Sequence, residues 1–168
     1  MAETAVKSLM FPMSHPHTYQ ASLTWEGNLG QGTATYQGYS RLWRVRFAGK
    51  PDLLGSADPA YRGETDKHNP EELLVASLSS CHMLSWLALC ARNRITVVGY
   101  RDEATGQMET TPDGGGHFVS VTLNPKAEIT DAAQKELAER LHQKAHELCF
   151  IAASVNFPVH HAAEITVR

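Results

Sequence analysis

The chain of 168 residues is 42% apolar, which is sufficient for the hydrophobic core of one domain. Its formal charge of −3, without a stripe of lysine and arginine interleaved with aromatic residues, argues against a nucleic-acid partner. Three cysteines are too few for a disulfide scaffold and suit a reducing compartment, so we expect a cytoplasmic protein.

The first segment, residues 1–18, contains prolines and no continuous apolar stretch. We therefore expect an N-terminal arm there and not a signal peptide. Residues 19–168 are predicted to form a single domain.

Three β-prone runs follow at 19–25, 33–37 and 39–47, and the glycine-rich segment EGNLGQG separates the first two. This pattern predicts a β-meander. Turn-forming residues dominate 49–68, which predicts a long loop, and long loops inside a compact domain often carry function.

A long helix is predicted next. Asn69 is a suitable N-cap, Pro70 suits the first helical position and Glu72 completes a capping box, so the helix extends from there to about Arg94. Residues 73–91 carry no charge and have the length of a membrane span. Because serines and a histidine interrupt this segment and no second span accompanies it, we expect no membrane insertion. We expect a central helix buried on most of its circumference, for which a second copy of the chain is one source of cover.

The rest of the chain combines strands with one further helix. Strands are predicted at 96–104, 106–111, 117–125 and 161–168, and the second helix is predicted at 131–154.

Two of the cysteines lie among small side chains. On a 3.6-residue period, one narrow stripe of the first helix is small, and the second helix has a matching small patch. The stripe contains Ser77, Cys81, Ser85 and Ala88, and the patch contains Ala145, Cys149 and Ala152. If the stripe and the patch face each other, the two thiols meet; the alternative is that both cysteines are ordinary small core residues. Cys90 is interpreted only as a core residue.

Histidines also cluster along the second helix. His142, His146 and Cys149 share one face at a spacing that can hold a metal ion. Since no fourth ligand has a fixed position, we favour a surface or interface histidine pair and predict no metal and no cofactor. His146 is also placed to orient or polarise Cys149. His160 and His161 begin a strand and are expected to face solvent or an interface.

Three segments together resemble one known family. They are NPEELLVASLSSCHML at 69–84, TWEGNLGQGT at 24–33 and KAHELCFIAAS at 144–154. Over 19–168 the chain is similar to the OsmC/Ohr family, the osmotically inducible protein C and organic hydroperoxide resistance proteins. The resemblance implies an α+β intertwined homodimer, with two central helices wrapped by antiparallel sheets and active sites at the subunit interface. It also implies a thiol-dependent peroxidase that reduces organic hydroperoxides, or hydrogen peroxide, to alcohols and water.

The resemblance further implies roles for three residues. Cys81 matches the peroxidatic cysteine, Cys149 the resolving cysteine and Glu71 the carboxylate of the site. The attacking thiolate becomes a sulfenic acid, the second thiol traps it as a disulfide, and an external dithiol, dihydrolipoyl or thioredoxin-like, resets the pair. Ten residues of helix span about 15 Å, so Glu71 reaches a site at Cys81 from a partner chain or in a bent helix. A dimer is the simpler solution.

The chain departs from the family pattern in its glycine-rich turn. The arginine that the family usually places there is absent from GNLGQGT, so another residue must lower the pKa of the attacking thiol. Arg62 in the long loop and Arg44 on the following strand are the first candidates. Further candidates are Arg41, Arg46, His82 and His146. The family also commonly has proline where this chain has Phe150.

Two other functions are compatible with the sequence. A catalytically weak member of the family would bind a hydrophobic small molecule in the same pocket at the dimer interface, and its cysteines would only pack. A structural dimer without a ligand is the other. The candidates for apolar pocket residues are Met83, Leu84, Trp86 and Phe150.

Overall fold

Two α-helices and nine β-strands form the part of the chain that the computed structural model describes, residues 16–168. The predicted α+β class is confirmed. Of the predicted N-terminal arm, residues 1–15 lie outside the described residues.

The first sheet is antiparallel, in the order β1–β2–β3. Its strands are β1 (Ser22–Trp25), β2 (Trp43–Arg46) and β3 (Leu53–Gly55). β3 lies inside the segment predicted as a loop, which also contains a 3₁₀ turn at Pro59–Tyr61. The prediction of a loop without regular structure was wrong because Leu53 and Leu54 pair with the free edge of β2.

The predicted strand at 33–37 was also wrong, since these residues form consecutive turns. The glycines just before them explain the difference. Gly30 and Gly32 have φ angles of +106° and +56°, a left-handed conformation that interrupts an extended chain.

Helix α1 spans Pro70–Arg92 and begins as the sequence predicted. The side chain of Asn69 accepts a hydrogen bond from Glu72 N–H at 2.8 Å, and the Glu72 carboxylate accepts one from Asn69 N–H at 3.3 Å. This capping box satisfies two backbone donors at the first turn and fixes the point at which α1 leaves the preceding loop.

Two mixed sheets contact α1 on its packed sides. One contains β4 (Val97–Asp102), β7 (Pro125–Ile129) and β9 (Glu164–Val167), and the other contains β5 (Thr105–Thr110), β6 (Gly116–Leu123) and β8 (Val159–His161). β4 and β7 are antiparallel, as are β5 and β6, but β7 and β9 run parallel, as do β6 and β8. The prediction of purely antiparallel sheets was therefore wrong. The chain crosses over through the second helix before β8 and β9, so it returns in the same direction as the strands it joins.

Helix α2 spans Lys135–Leu148 and is shorter than the predicted 131–154. A 3₁₀ turn at Ala132–Gln134 precedes it, and Cys149 leaves it with φ −75° and ψ 108°, which is extended backbone. The second cysteine therefore lies at the exit of the helix and not within it.

The core has two parts that meet at α1. One packs Trp86 and Cys90 of α1 against α2 and the β4–β7–β9 sheet, and the other packs Leu78 against Val121 and Leu123 of β6. The first sheet lies outside both parts, and Leu23 on β1 is 68% exposed. Among the described residues α1 alone is long and apolar enough to cross a membrane, a property that the core helix of a soluble protein shares.

Candidate functional site

The face of α1 that packs inside the chain lies next to the predicted small stripe. Its buried residues are Leu78, His82, Trp86 and Cys90. The first three each directly follow a residue of the stripe, and Cys90 lies one helical turn beyond Trp86. Leu78 and Trp86 on this face remove more apolar surface from water than the small stripe would, which favours its burial. Cys81 is half-buried at the edge of the packed face.

Cys149 is 2% exposed at the end of α2. Its Sγ accepts a hydrogen bond from Ala152 N–H at 3.4 Å, and the side chain of Cys81 lies close enough to affect its pKa. Burial and then the Cys81 side chain raise the pKa of Cys149 to about 11. The two thiols are thus neighbours within one chain, and neither is in a disulfide.

Two aligned contacts join α1 and α2 beside the thiols. Trp86 Nε1 donates to the carbonyl of Ala138 at 3.0 Å, and His82 Nε2 lies 3.0 Å from His142 Nδ1. One turn back along α1, from Trp86 to His82, corresponds to one turn forward along α2, so the helices are antiparallel. The His142 ring stacks on the Trp86 ring, with centroids 4.6 Å apart, and the nearly parallel His82 ring has its centroid 5.3 Å away.

The histidines at this contact are buried and neutral near pH 7. Burial lowers the pKa of His82 to about 4 and that of His142 to about 3, and the charge of His161 adds to both effects. His82 therefore presents no positive charge to its neighbour Cys81 at neutral pH. The expectation of His142 at the surface or at an interface was wrong, because the ring is 1% exposed within a single chain.

The other histidines lie at the edge of this group. The His161 ring is 5.5 Å from His82 and 5.9 Å from His146, and it is half-buried, whereas His160 is exposed. Within residues 16–168, no group of three or more histidine, cysteine, aspartate or glutamate side chains is arranged to hold a metal ion.

Glu71 lies in the first turn of α1, and α1 continues as one helix through Cys81. One chain therefore separates the two residues by about 15 Å of helix. Oε2 of Glu71 is buried without a hydrogen-bond donor among the described residues. The structure of a single chain does not bring Glu71 to Cys81.

Glu71 lines an open cleft of about 820 Å³ on the other side of α1. Apolar side chains of its wall include Val75, Met83, Met108 and Phe118, and Tyr100 adds a second buried oxygen that lacks a partner among the described residues. Of the other predicted pocket residues, Trp86 is in the core, while Leu84 and Phe150 are 63% and 79% exposed.

The candidate arginines have different surroundings. Arg44 forms ion pairs with Glu26 at 2.6 Å and Asp52 at 3.0 Å, and the Glu26 hydrogen bond is the main reason why its pKa is raised. Arg46 also pairs with Asp52, at 3.4 Å. Arg62 is exposed and ends the 3₁₀ turn with φ 69°.

Arg41 is held by aromatic rings instead. Its guanidinium lies 4.4 Å from the ring centre of Tyr36 and 4.1 Å from that of Tyr39, and it donates to the carbonyl oxygens of both residues. None of the ion pairs of the described chain includes Arg41. Arg44 and not Arg41 was among the first candidates; the tyrosines two and five positions before Arg41 are the feature of the sequence that points to it.

Comparison with known proteins identifies the family. The model of the family described as OsmC-like protein matches residues 63–164. A solved OsmC-like protein of unknown function from Vibrio cholerae is 32% identical, with a TM-score of 0.79, and the match covers 89% of this chain and 100% of that one. The chain belongs to the OsmC-like protein family.

More distant structures share the fold. An organic hydroperoxide resistance protein from Elizabethkingia anophelis is 19% identical, with a TM-score of 0.66 over 93% of this chain and 100% of that one. The organic hydroperoxide resistance protein OhrB of Bacillus subtilis is 21% identical, with a TM-score of 0.58 over 88% and 98%. Among curated proteins, none matches the chain significantly.

Proposed function

We propose that the protein is a thiol-dependent hydroperoxide reductase that acts as a cytoplasmic homodimer. Cys81 is the peroxidatic cysteine and Cys149 the resolving cysteine. The observation that carries this proposal is the closeness of the two thiols: Cys81 is the neighbouring side chain that, after burial, raises the pKa of Cys149. Thiols already close together require little backbone movement to form a disulfide.

The reaction proceeds in three steps. The Cys81 thiolate attacks the outer oxygen of the hydroperoxide, the O–O bond breaks, and the alkoxide takes a proton to leave as the alcohol. The Cys149 thiol attacks the sulfenic sulfur of Cys81, and water leaves as the disulfide forms. An external dithiol, dihydrolipoyl or thioredoxin-like, then reduces the disulfide by exchange and is itself oxidised.

The surroundings of the two thiols favour this assignment of roles. Cys149 is 2% exposed and its pKa is raised to about 11, so it stays protonated near pH 7 and does not compete for peroxide. Cys81 is half-buried and therefore more accessible. A protected resolving thiol beside an accessible attacking thiol gives the order of events that the mechanism needs.

Surfaces left uncovered in one chain support the homodimer. Leu84 of α1 is 63% exposed, Leu23 of the first sheet is 68% exposed, and the cleft beside α1 is open. Of the most apolar 18-residue stretch of α1, only 22% is buried within one chain. A second copy of the chain covers such surfaces and carries Glu71 toward the neighbouring Cys81, which one straight helix cannot do.

Arg41 is the best candidate for the activating cation. Arg44 is already paired with two carboxylates, whereas Arg41 has no carboxylate partner within residues 16–168 and is held in place by two rings. Glu71 has a buried oxygen that no donor within residues 16–168 reaches. In the proposed dimer, Arg41 meets Glu71 of the other subunit and its charge stabilises the thiolate that attacks the peroxide.

Exposed apolar side chains near the thiols favour organic hydroperoxides over hydrogen peroxide. Phe150, next to Cys149, is 79% exposed, and Leu84, three residues from Cys81, is 63% exposed. These side chains suit a substrate with an apolar tail.

Mass spectrometry after one equivalent of cumene hydroperoxide tests the proposal. Wild type is expected to form a Cys81–Cys149 disulfide, and Cys149→Ser to accumulate a sulfenic acid at Cys81 that dimedone traps. Cys90→Ser is the matched control and should behave as wild type, because Cys90 is fully buried and burial raises its pKa to about 12. Thiols that stay reduced in wild type would refute the peroxidase.

The cleft supports a second candidate, a binding protein for hydrophobic small molecules. Its volume of about 820 Å³ is large enough for such a ligand, and Val75, Met83 and Phe118 are apolar. Unreactive thiols together with saturable binding of a fluorescent fatty acid, weakened by Met83→Glu, would favour this function.

A further inference from the structure

A buried histidine pair lies beside the two thiols. His82 follows Cys81 directly on α1, and His142 lies on the face of α2 that ends at Cys149, two helical turns away. Both rings are 1% exposed, and their nitrogens are 3.0 Å apart.

Burying two polar rings at this position costs free energy that apolar side chains would not cost. Burying a polar group costs free energy unless it is hydrogen-bonded, and apolar side chains would fill the same space without that cost. A hydrogen bond differs from an apolar contact in being directional, so it specifies one rotation and one register between the helices. The Trp86 indole stacks on the His142 ring and donates a hydrogen bond to the carbonyl of Ala138. These contacts restrict further the orientation of α2 on α1.

We propose that His82 and His142 are positioning residues for the thiol pair: their hydrogen bond and ring stack fix α2 on α1 in the register that holds Cys149 against Cys81. The proposal rests on the proposed function in treating these thiols as a redox pair. Its physical effect is on disulfide closure, because helices held in register lose less conformational freedom when the bond forms.

The two histidine rings share one hydrogen bond and have no further hydrogen-bond partner in the described part of the chain. Nδ1 of His82 and Nε2 of His142 are buried without partners in the described part of the chain, so the shared bond is the main polar restraint on both rings. The charged and titratable groups that face the pair are His161, His146 and Asp102. The bond needs one ring as donor and the other as acceptor, which two neutral rings provide.

Thiol–disulfide equilibrium with glutathione tests this proposal without any peroxide. Oxidised glutathione takes two electrons and two protons from the Cys81 and Cys149 thiols, giving the protein disulfide and two molecules of reduced glutathione. The ratio of the products at equilibrium, read by mass spectrometry at pH 7, gives the effective concentration of the thiol pair. His142→Leu and His142→Asn are a matched pair, because they have nearly the same shape and only asparagine offers a hydrogen bond at the position of Nδ1.

We expect His142→Leu to lower the effective concentration about tenfold and His142→Asn to stay within about threefold of wild type. His160→Leu, at the exposed neighbour of the group, should change nothing. Equal values for the leucine and asparagine variants, or a wild type that forms no Cys81–Cys149 disulfide, would overturn the proposal. If His142→Leu fails to fold in a thermal unfolding measurement, His82→Met against His82→Gln makes the same comparison from α1. Failure of Cys81 to react with hydroperoxide would refute the proposed function and leave this result standing.

Discussion

The guanidinium of Arg41 lies 4.1 Å from the ring centre of Tyr39 and 4.4 Å from that of Tyr36, and its hydrogen bonds go to backbone carbonyls. An arginine held by rings is fixed in position while its charge is not neutralised by a carboxylate. Arg44, the second residue of β2, forms ion pairs with Glu26 and Asp52. The two arginines differ in whether their charge is available to another group.

Replacing Arg41 tests whether this difference matters for catalysis. We expect Arg41→Met to slow the oxidation of Cys81 by cumene hydroperoxide about a hundredfold, because the thiolate loses its stabilising charge. Arg44→Met should keep the rate within about threefold, since its charge is spent within its own sheet. Stopped-flow tryptophan fluorescence measures both rates. A large loss in Arg62→Met with little change in Arg41→Met would reassign the activating residue to the long loop.

The capping box at the start of α1 gives a prediction about stability. Asn69→Ala removes the acceptor of Glu72 N–H and is expected to lower the free energy of unfolding by about 1 kcal/mol. Asn69→Asp keeps an acceptor and should leave the stability near that of wild type. Urea unfolding followed by circular dichroism measures both, and an alanine variant as stable as the aspartate variant would contradict the role of the cap.

Local patterns in the sequence predicted the parts of the fold that depend on local interactions. The capping residues placed the start of α1, whereas the small stripe did not identify the face of α1 that packs inside the chain, which is the neighbouring one. The end of α2 was placed too late, because the helical period continues through Cys149 while the backbone turns into the loop before β8.

Long-range pairings were not accessible in the same way. The parallel pairing of β6 with β8 depends on the crossover through α2, which no short pattern encodes. His142 was interpreted as a surface or interface residue, whereas its burial depends on a partner sixty residues away on α1. The tyrosines near Arg41 are visible in the sequence. Only the folded chain shows that Glu26 and Asp52 pair with Arg44, which leaves Arg41 without a carboxylate partner among the described residues.

The exposed apolar side of α1 gives a prediction about assembly. Leu84 is 63% exposed, and most of the apolar stretch of α1 is not buried within one chain. We expect sedimentation velocity to show a homodimer for wild type and a shift to monomer for Leu84→Glu, because a buried carboxylate without a partner is costly. Val98→Glu, at an exposed apolar residue of β4, is the control and should remain dimeric. A monomeric wild type would remove the source of Glu71 for the proposed site.

The histidine pair predicts how stability depends on pH. The pKa of His82 is lowered to about 4 and that of His142 to about 3 in the folded chain, from a value of 6.5. Each ring therefore binds a proton more readily in the unfolded chain than in the folded chain. The stability that depends on the neutral rings is complete above pH 6.5 and is lost as the pH falls toward 4, with a slope of up to about 1.4 kcal/mol per pH unit for each ring.

Other groups titrate in the same range, so the comparison between variants carries the test. His142→Asn removes one titrating ring, and the slope of the unfolding free energy between pH 6 and pH 4.5 should fall by about 1.4 kcal/mol per pH unit relative to wild type. His160→Asn removes an exposed ring and should keep the wild-type slope. Urea unfolding at four pH values measures all three proteins. Parallel curves for wild type and His142→Asn would mean that His142 is protonated in the folded chain, and the neutral pair would then be wrong as the basis of the contact between α1 and α2.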